Sequence, residues 1–93
     1  MIINFADRET QRIFHGDSSH RLPPEIQHVA RRKLWMLHAA VDIRDLKAPP
    51  ANRLERLRGD REGQWSVRIN RQWRLCFIWQ RGHAFSVEIV DYH

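Results

Sequence analysis

At 93 residues, 42% hydrophobic and 29% charged, the chain fits one small domain spanning residues 1–93 and leaves no room for a second. No stretch approaches the roughly 18 consecutive apolar residues of a membrane span, and M-I-I-N-F-A-D-R at the start has no charged-then-apolar export pattern. A cytoplasmic protein without a membrane partner is expected. The 16 Lys and Arg against 11 Asp and Glu give a net charge of +5, and every basic residue except Lys33 and Lys47 is Arg. Guanidinium favours forked contact with phosphate and stacks on bases, so this excess leans toward nucleic acid, although charge alone does not decide it.

A domain this short buries only about 60 to 65% of its unfolded surface, so its core must be efficient. Four Trp and four Phe supply the volume. In chain order, Ile2, Ile3 and Phe5 form a short apolar start. Asp7 then has the position of an N-cap for a short helix through Phe14, closed by Gly16. After the polar D-S-S-H-R loop, Pro23 and Pro24 stand where proline is tolerated at a helix start. Ile26, Val29, Ala30, Leu34, Leu37 and Val41 follow at three- and four-residue spacing, which predicts a helix buried on one face. Its other side carries His28, Arg31, Arg32, Trp35 and His38. Such a face is ordinarily solvated, but a basic helix face beside an aromatic can also meet RNA or a protein, with Arg31 and Arg32 as RNA contacts.

Ala48-Pro49-Pro50-Ala51 breaks the helical pattern and period-2 alternation takes over. Trp65, Val67 and Ile69 share one face of a strand. Trp73, Leu75, Phe77 and Trp79 share a face opposite Arg74, Cys76 and Ile78, and Phe85, Val87 and Ile89 repeat the pattern. Three successive strands of this kind make an antiparallel meander. Directly opposed residues lie on the same side of a sheet, so each connection should hold an odd number of residues. Asn70-Arg71-Gln72 serves for the first hairpin. Gln80-Arg81-Gly82, with Gly82 left-handed and Phe77 opposite Phe85, serves for the second. The first register makes Arg68 and Arg74 neighbours away from the aromatic face, and like charges so opposed invite an anion. Leu54 and Leu57 cannot both face inward on one regular strand, so a bulge is expected between Arg53 and Arg58. Cys76 has no partner at metal-ligand spacing and is expected to be a buried thiol. His15, His20, His28, His38 and His83 show no ligand pairing either. No metal or other cofactor is expected. The architecture is therefore α+β: two N-terminal helices packed on one face of a small, mostly antiparallel sheet of four or five strands.

The run N-R-L-E-R-L-R-G-D-R-E-G-Q-W-S-V-R-I-N-R-Q-W-R-L-C-F, together with V-E-I-V-D-Y-H at the end, resembles the HigB branch of the RelE/ParE superfamily of bacterial toxins over essentially the whole chain. The combination of L-x-G-D-R-x-G-x-W-S, a Q-W-R strand and a terminal D-Y-H is far more specific than any one part. The resemblance implies a cytoplasmic, ribosome-dependent endoribonuclease that cuts messenger RNA. It also implies silencing by a helix-turn-helix (HigA-like) antitoxin. By the same resemblance the phosphate-contacting arginine falls on Arg74, and the C-terminal acid, tyrosine and histidine fall on Asp91, Tyr92 and His93. One position departs from the best-known HigB pattern. Glu55 stands in L-E-R-L-R-G-D where a histidine precedes a P-L-K-G-D-type segment there. In YoeB-like relatives that place resembles a catalytic glutamate followed three residues on by a basic residue, here Arg58.

RNA cleavage through the ribose 2′-OH needs a base for the attacking oxygen, an acid for the leaving 5′-oxygen and positive charge for the phosphorane. Glu55, His93 and Arg74 fit those roles in turn, with Arg68 or Arg58 holding a flanking phosphate. Tyr92 either stacks on a base, orients the phosphate, or packs on the sheet edge. Asp91 orients His93 or nearby arginines. The terminal strand is expected to deliver D-Y-H onto the sheet face of Arg74. In the bland alternative, Glu55 and Arg58 are ordinary surface electrostatics. Rival functions are a ParE-like protein-binding inhibitor, for instance of DNA gyrase, and an inactive relative that only binds antitoxin or RNA.

Overall fold

The computed structural model describes residues 1–92; His93 lies outside the described residues. Helix α1, Arg8–Phe14, begins where Asp7 accepts a hydrogen bond from the Thr10 amide at 2.6 Å. It ends on Gly16, whose φ of +93° lets Asp17 N reach back to the Arg12 carbonyl at 2.9 Å. Helix α2, Pro24–Ala39, starts on the proline pair as expected. It stops sooner than the apolar spacing suggests. Asp42 accepts from the Arg44 amide, and Asp45 accepts from the amides of Val41 and Asp42, so a capping box starts a 3-10 turn at Ile43–Leu46. Val41, expected on the buried stripe, is therefore beyond the helix and 79% exposed. A second 3-10 turn, Pro50–Asn52, leads to Arg53 in the left-handed conformation.

Four antiparallel strands follow in the order β1 (Glu55–Arg56), β2 (Gln64–Arg68), β3 (Trp73–Gln80) and β4 (His83–Asp91). The first strand is only two residues long. Leu54 packs on the main core, whereas Leu57 is buried outside that cluster. The two leucines thus serve opposite sides of the sheet, as residues three apart on a regular strand do, so the regular pairing of Glu55 and Arg56 stands in place of the bulge expected between Arg53 and Arg58. One face of the sheet is covered by the helices, α2 lying on β3 and β4 and α1 on α2 and β4. Ile13, Leu34, Leu37, Val67, Leu75, Phe77 and Val87 are fully buried between the layers. Complete burial of a side chain of that size contributes about 1.5–3 kcal/mol. Two helices on one face of a four-stranded antiparallel sheet is the α+β architecture expected from the sequence.

The first hairpin has the expected register, with Val67 opposite Leu75 and Arg68 opposite Arg74. The second does not. Gln80 pairs with His83, leaving a two-residue turn of Arg81 (φ +53°) and Gly82 (φ +80°) instead of three residues. Two-residue turns reverse the parity of the pairing, so Phe85 lies opposite Ile78 and not Phe77. A bulge then restores it, Ser86 taking φ +53°, and Leu75 pairs with Ile89. Both registers put Val87 and Ile89 on the core face, which is why the apolar pattern alone did not separate them. The free edge of β4 is covered by the N-terminus, through Ile3 N to Ala84 O at 2.8 Å and Ala6 N to Val87 O at 2.9 Å. No helix among the described residues is long and apolar enough to cross a membrane.

Candidate active site

The face of the sheet away from the helices carries the polar chemistry. Register places Glu55 opposite Ser66, Ser66 opposite Cys76 and Cys76 opposite Glu88, in one row across all four strands. Arg74 stands in the next row between Arg68 and Val90. It is only 9% exposed. Its guanidinium donates to Ser66 Oγ at 2.7 Å and to the Arg53 carbonyl at 3.2 Å, and lies 5.7 Å from the centroid of the Tyr92 ring. The Glu55 carboxylate approaches it at 3.6 Å. Two neutral acceptors therefore fix the arginine's orientation. The carboxylate, with 54% of its side-chain surface exposed against 11% for Arg74, remains open to solvent.

These groups border a recess of about 220 Å³ lined by Glu55, Arg74, Tyr92, Arg53, Arg68, Asn70 and Arg71. The Asn70 side chain accepts from the amides of Gln72 and Trp73, both at 2.8 Å, and closes the first hairpin. Arg68 is steadied by its Nε donating to the Asn70 carbonyl at 3.1 Å. Four arginines against one glutamate make the recess strongly electropositive.

The structure thus brings Glu55, Arg74, Tyr92 and Arg68 together and places the other candidates elsewhere. Asp91 pairs with Trp73, so strand alternation sends its side chain to the face opposite Arg74. The expectation that the last strand delivers all of D-Y-H to Arg74's face is corrected for this residue. The Asp91 carboxylate accepts from Gln72 Nε2 at 3.0 Å, while Tyr92 N donates to the Gln72 carbonyl at 2.7 Å, fixing the end of β4 to the first hairpin. His93, the candidate acid, lies outside the described residues. Arg58 is exposed and lines a separate depression with Arg56, Leu57, Gly59 and Glu62. Arg31 donates to the carbonyls of Ile13 at 2.8 Å and Asp17 at 3.0 Å, tying α1 to α2. Arg32 is exposed on the rim of a depression that adjoins the recess.

Sequence reasoning missed Arg53, Asn70 and Arg71. The odd-length hairpin already placed Asn70 and Arg71 beside the Arg68–Arg74 pair, so a signal for them existed. Arg53 depends on a left-handed turn that no local pattern announces. Cys76 is fully buried, as expected, and burial pushes its thiol pKa up. Among the described residues no three of His, Cys, Asp and Glu come together as a metal-ligand set.

The profile of the HigB-like toxins, RelE-like toxins of type II toxin–antitoxin systems, matches residues 3–93. The chain belongs to this family. It is 40% identical over 87 residues to Toxin HigB-1 of Vibrio cholerae, covering 92% of each chain. It is 36% identical over 82 residues to an uncharacterized protein of Haemophilus influenzae, covering 87% of this chain and 81% of the relative. Endoribonuclease HigB of Proteus vulgaris is 28% identical over 93 residues, the full length of both. Membership implies an antitoxin as partner.

Proposed function

We propose that this HigB-like toxin is an endoribonuclease and that the recess between Glu55 and Arg74 is where it cuts RNA. The supporting observation is a half-exposed carboxylate held 3.6 Å from a buried, pre-oriented guanidinium, in a recess whose other charged lining residues are all arginines. Glu55 takes the proton of the 2′-OH as that oxygen attacks phosphorus. The bond to the 5′-oxygen breaks, a cyclic 2′,3′-phosphate remains, and the departing oxygen takes a proton from His93. Arg74 meets the charge that develops on the phosphorane, and its links to Ser66 and Arg53 remove the need to reorganise during the reaction. Arg68 holds an adjoining phosphate, and the Tyr92 ring stacks on a base beside the scissile bond. The reaction as drawn is complete with a base, an acid and a cationic clamp.

The substrate in this reading is messenger RNA on the ribosome, in the cytoplasm, with the basic surface docking on ribosomal RNA. The silencing partner is a helix-turn-helix antitoxin of the HigA type. Cleavage of a defined transcript with and without programmed ribosomes tests it. Cuts at reproducible positions that need the ribosome and disappear in Arg74→Ala are expected. Growth arrest by Glu55→Ala and Arg74→Ala with transcripts intact would instead favour a protein-binding inhibitor.

A further inference from the structure

Beside the recess lies a second depression, of about 590 Å³, that the cleavage chemistry leaves unused. Arg53, Arg68, Asn70 and Arg71 line both, so the two are continuous. Among its other lining residues, Arg32 and Lys33 of α2 supply charge, and Val29 of α2 and Pro50 of the second 3-10 turn supply an apolar wall.

Lys33 is the telling residue. It stands on the apolar stripe of α2, seven positions after Ile26 and four before Leu37, and is 7% exposed. Its ammonium donates to Asn52 Oδ1. Asn52 is itself fully buried, and its own amide donates to the Leu46 carbonyl at 2.9 Å and to Met36 Sδ at 3.4 Å. An ammonium has three N–H donors. Among the described residues, no carboxylate forms an ion pair with Lys33, Arg32, Arg53, Arg68 or Arg71. Burial, reinforced by the neighbouring Arg32 charge, holds the Lys33 pKa below its ordinary value. A buried cation satisfied by one neutral acceptor is unfavourable in isolation, and an anion in the adjoining depression relieves it.

We propose that this depression is a nucleotide subsite, in which Lys33 and Arg32 join Arg68 in holding the phosphate next to the one at Arg74 while its ribose or base lies on the wall of Val29 and Pro50. The inference rests on the RNA-cleaving reading above. A single nucleic-acid strand presents phosphates in succession, and the shared arginines give that succession a continuous cationic track. The apolar wall distinguishes the depression from a purely electrostatic patch.

The test uses 2′-O-methyl oligonucleotides, which cannot be cut. A dinucleotide with one phosphodiester and a tetranucleotide with three are titrated into wild type, Lys33→Met and Arg32→Gln, with binding followed by NMR. Wild type is expected to bind the tetranucleotide about tenfold more tightly than the dinucleotide. In each variant that advantage shrinks, and the slope of log affinity on log salt falls by about 0.7, the value for one lost single-strand phosphate contact. Arg32→Gln is an exposed change and keeps the test valid should Lys33→Met disturb α2. An equal length advantage in wild type and both variants overturns the subsite. So does a Lys33→Met protein that loses antitoxin binding while keeping the length advantage, because the anion is then a protein carboxylate. Glu55→Gln separates the two readings. Retained length advantage with lost cleavage supports both, whereas undiminished cleavage sinks the catalytic assignment and leaves the oligonucleotide result to decide the subsite.

Discussion

Glu55 and Glu88 occupy the two outer strands in one row of the same sheet face, and each meets an arginine, yet the two pairs are built differently. Arg61 reaches from the β1–β2 connection across the sheet to Glu88 at 3.0 Å and also donates to Gln64. Both partners are about one-third exposed, and fully buried Cys76 stands beside Glu88 in that row. That pair ties the β1–β2 connection to β4. Arg74 is instead buried and held by neutral groups, with its carboxylate at a longer 3.6 Å and open to a cationic recess. Similar ion-pair chemistry is therefore closed between strands at one place and open to a cationic recess at another. What differs is which member of the pair is fixed by other bonds.

The widest separation between the two is expected from Glu55→Ala, which should lower the rate of RNA cleavage by about 10²–10⁴-fold, the usual worth of a positioned base. Near-normal cleavage by the folded variant would make Glu55 a bystander. Arg74→Ala should follow with a loss of about 10²–10³-fold. Arg74→Lys should recover only part of it, since an ammonium cannot reproduce the fork to Ser66 and Arg53. Arg61→Ala, at the closed pair, should leave cleavage unchanged and lower stability by about 0.5 kcal/mol in denaturant titration. It should also speed labelling of Cys76 by a thiol reagent. Unaltered labelling would show that the Arg61 segment is not the cover.

The smallest effect concerns pH. Burial raises the Cys76 pKa above its ordinary 9.0, so above about pH 9 the unfolded chain releases this proton while the folded chain keeps it. The unfolded state then binds fewer protons, and stability falls as pH rises from that point through the folded pKa. Cys76→Ala should flatten this alkaline decline relative to wild type, and an unchanged decline would assign it to another group.

Much of this contrast could be read from the residues. The odd connection Asn70-Arg71-Gln72 put Arg68 beside Arg74, and alternation kept both off the aromatic face, because side-chain parity in a strand has no exceptions until a bulge intervenes. The second hairpin shows the limit. A two-residue turn plus one bulged residue faces Val87 and Ile89 the same way as a three-residue turn, so hydrophobic pattern cannot tell them apart. Asp91 is free of that ambiguity: two residues after Ile89, it shares the core-side face in either register, so alternation alone already placed it away from Arg74. Glu55 was named through family resemblance, and only the register with Ser66 explains why it meets Arg74. Lys33 was overlooked although it lies on the apolar stripe of its helix, where a lone lysine signals an inward-facing charge.

The paired variants Glu55→Gln and Glu88→Gln remove the same charge from the same row of the sheet, so mapping transcript 5′ ends on programmed ribosomes with each asks one question. The account predicts that Glu88→Gln cuts at the wild-type positions and rate while Glu55→Gln leaves transcripts essentially whole. Equal cutting by both, from folded protein, would contradict it.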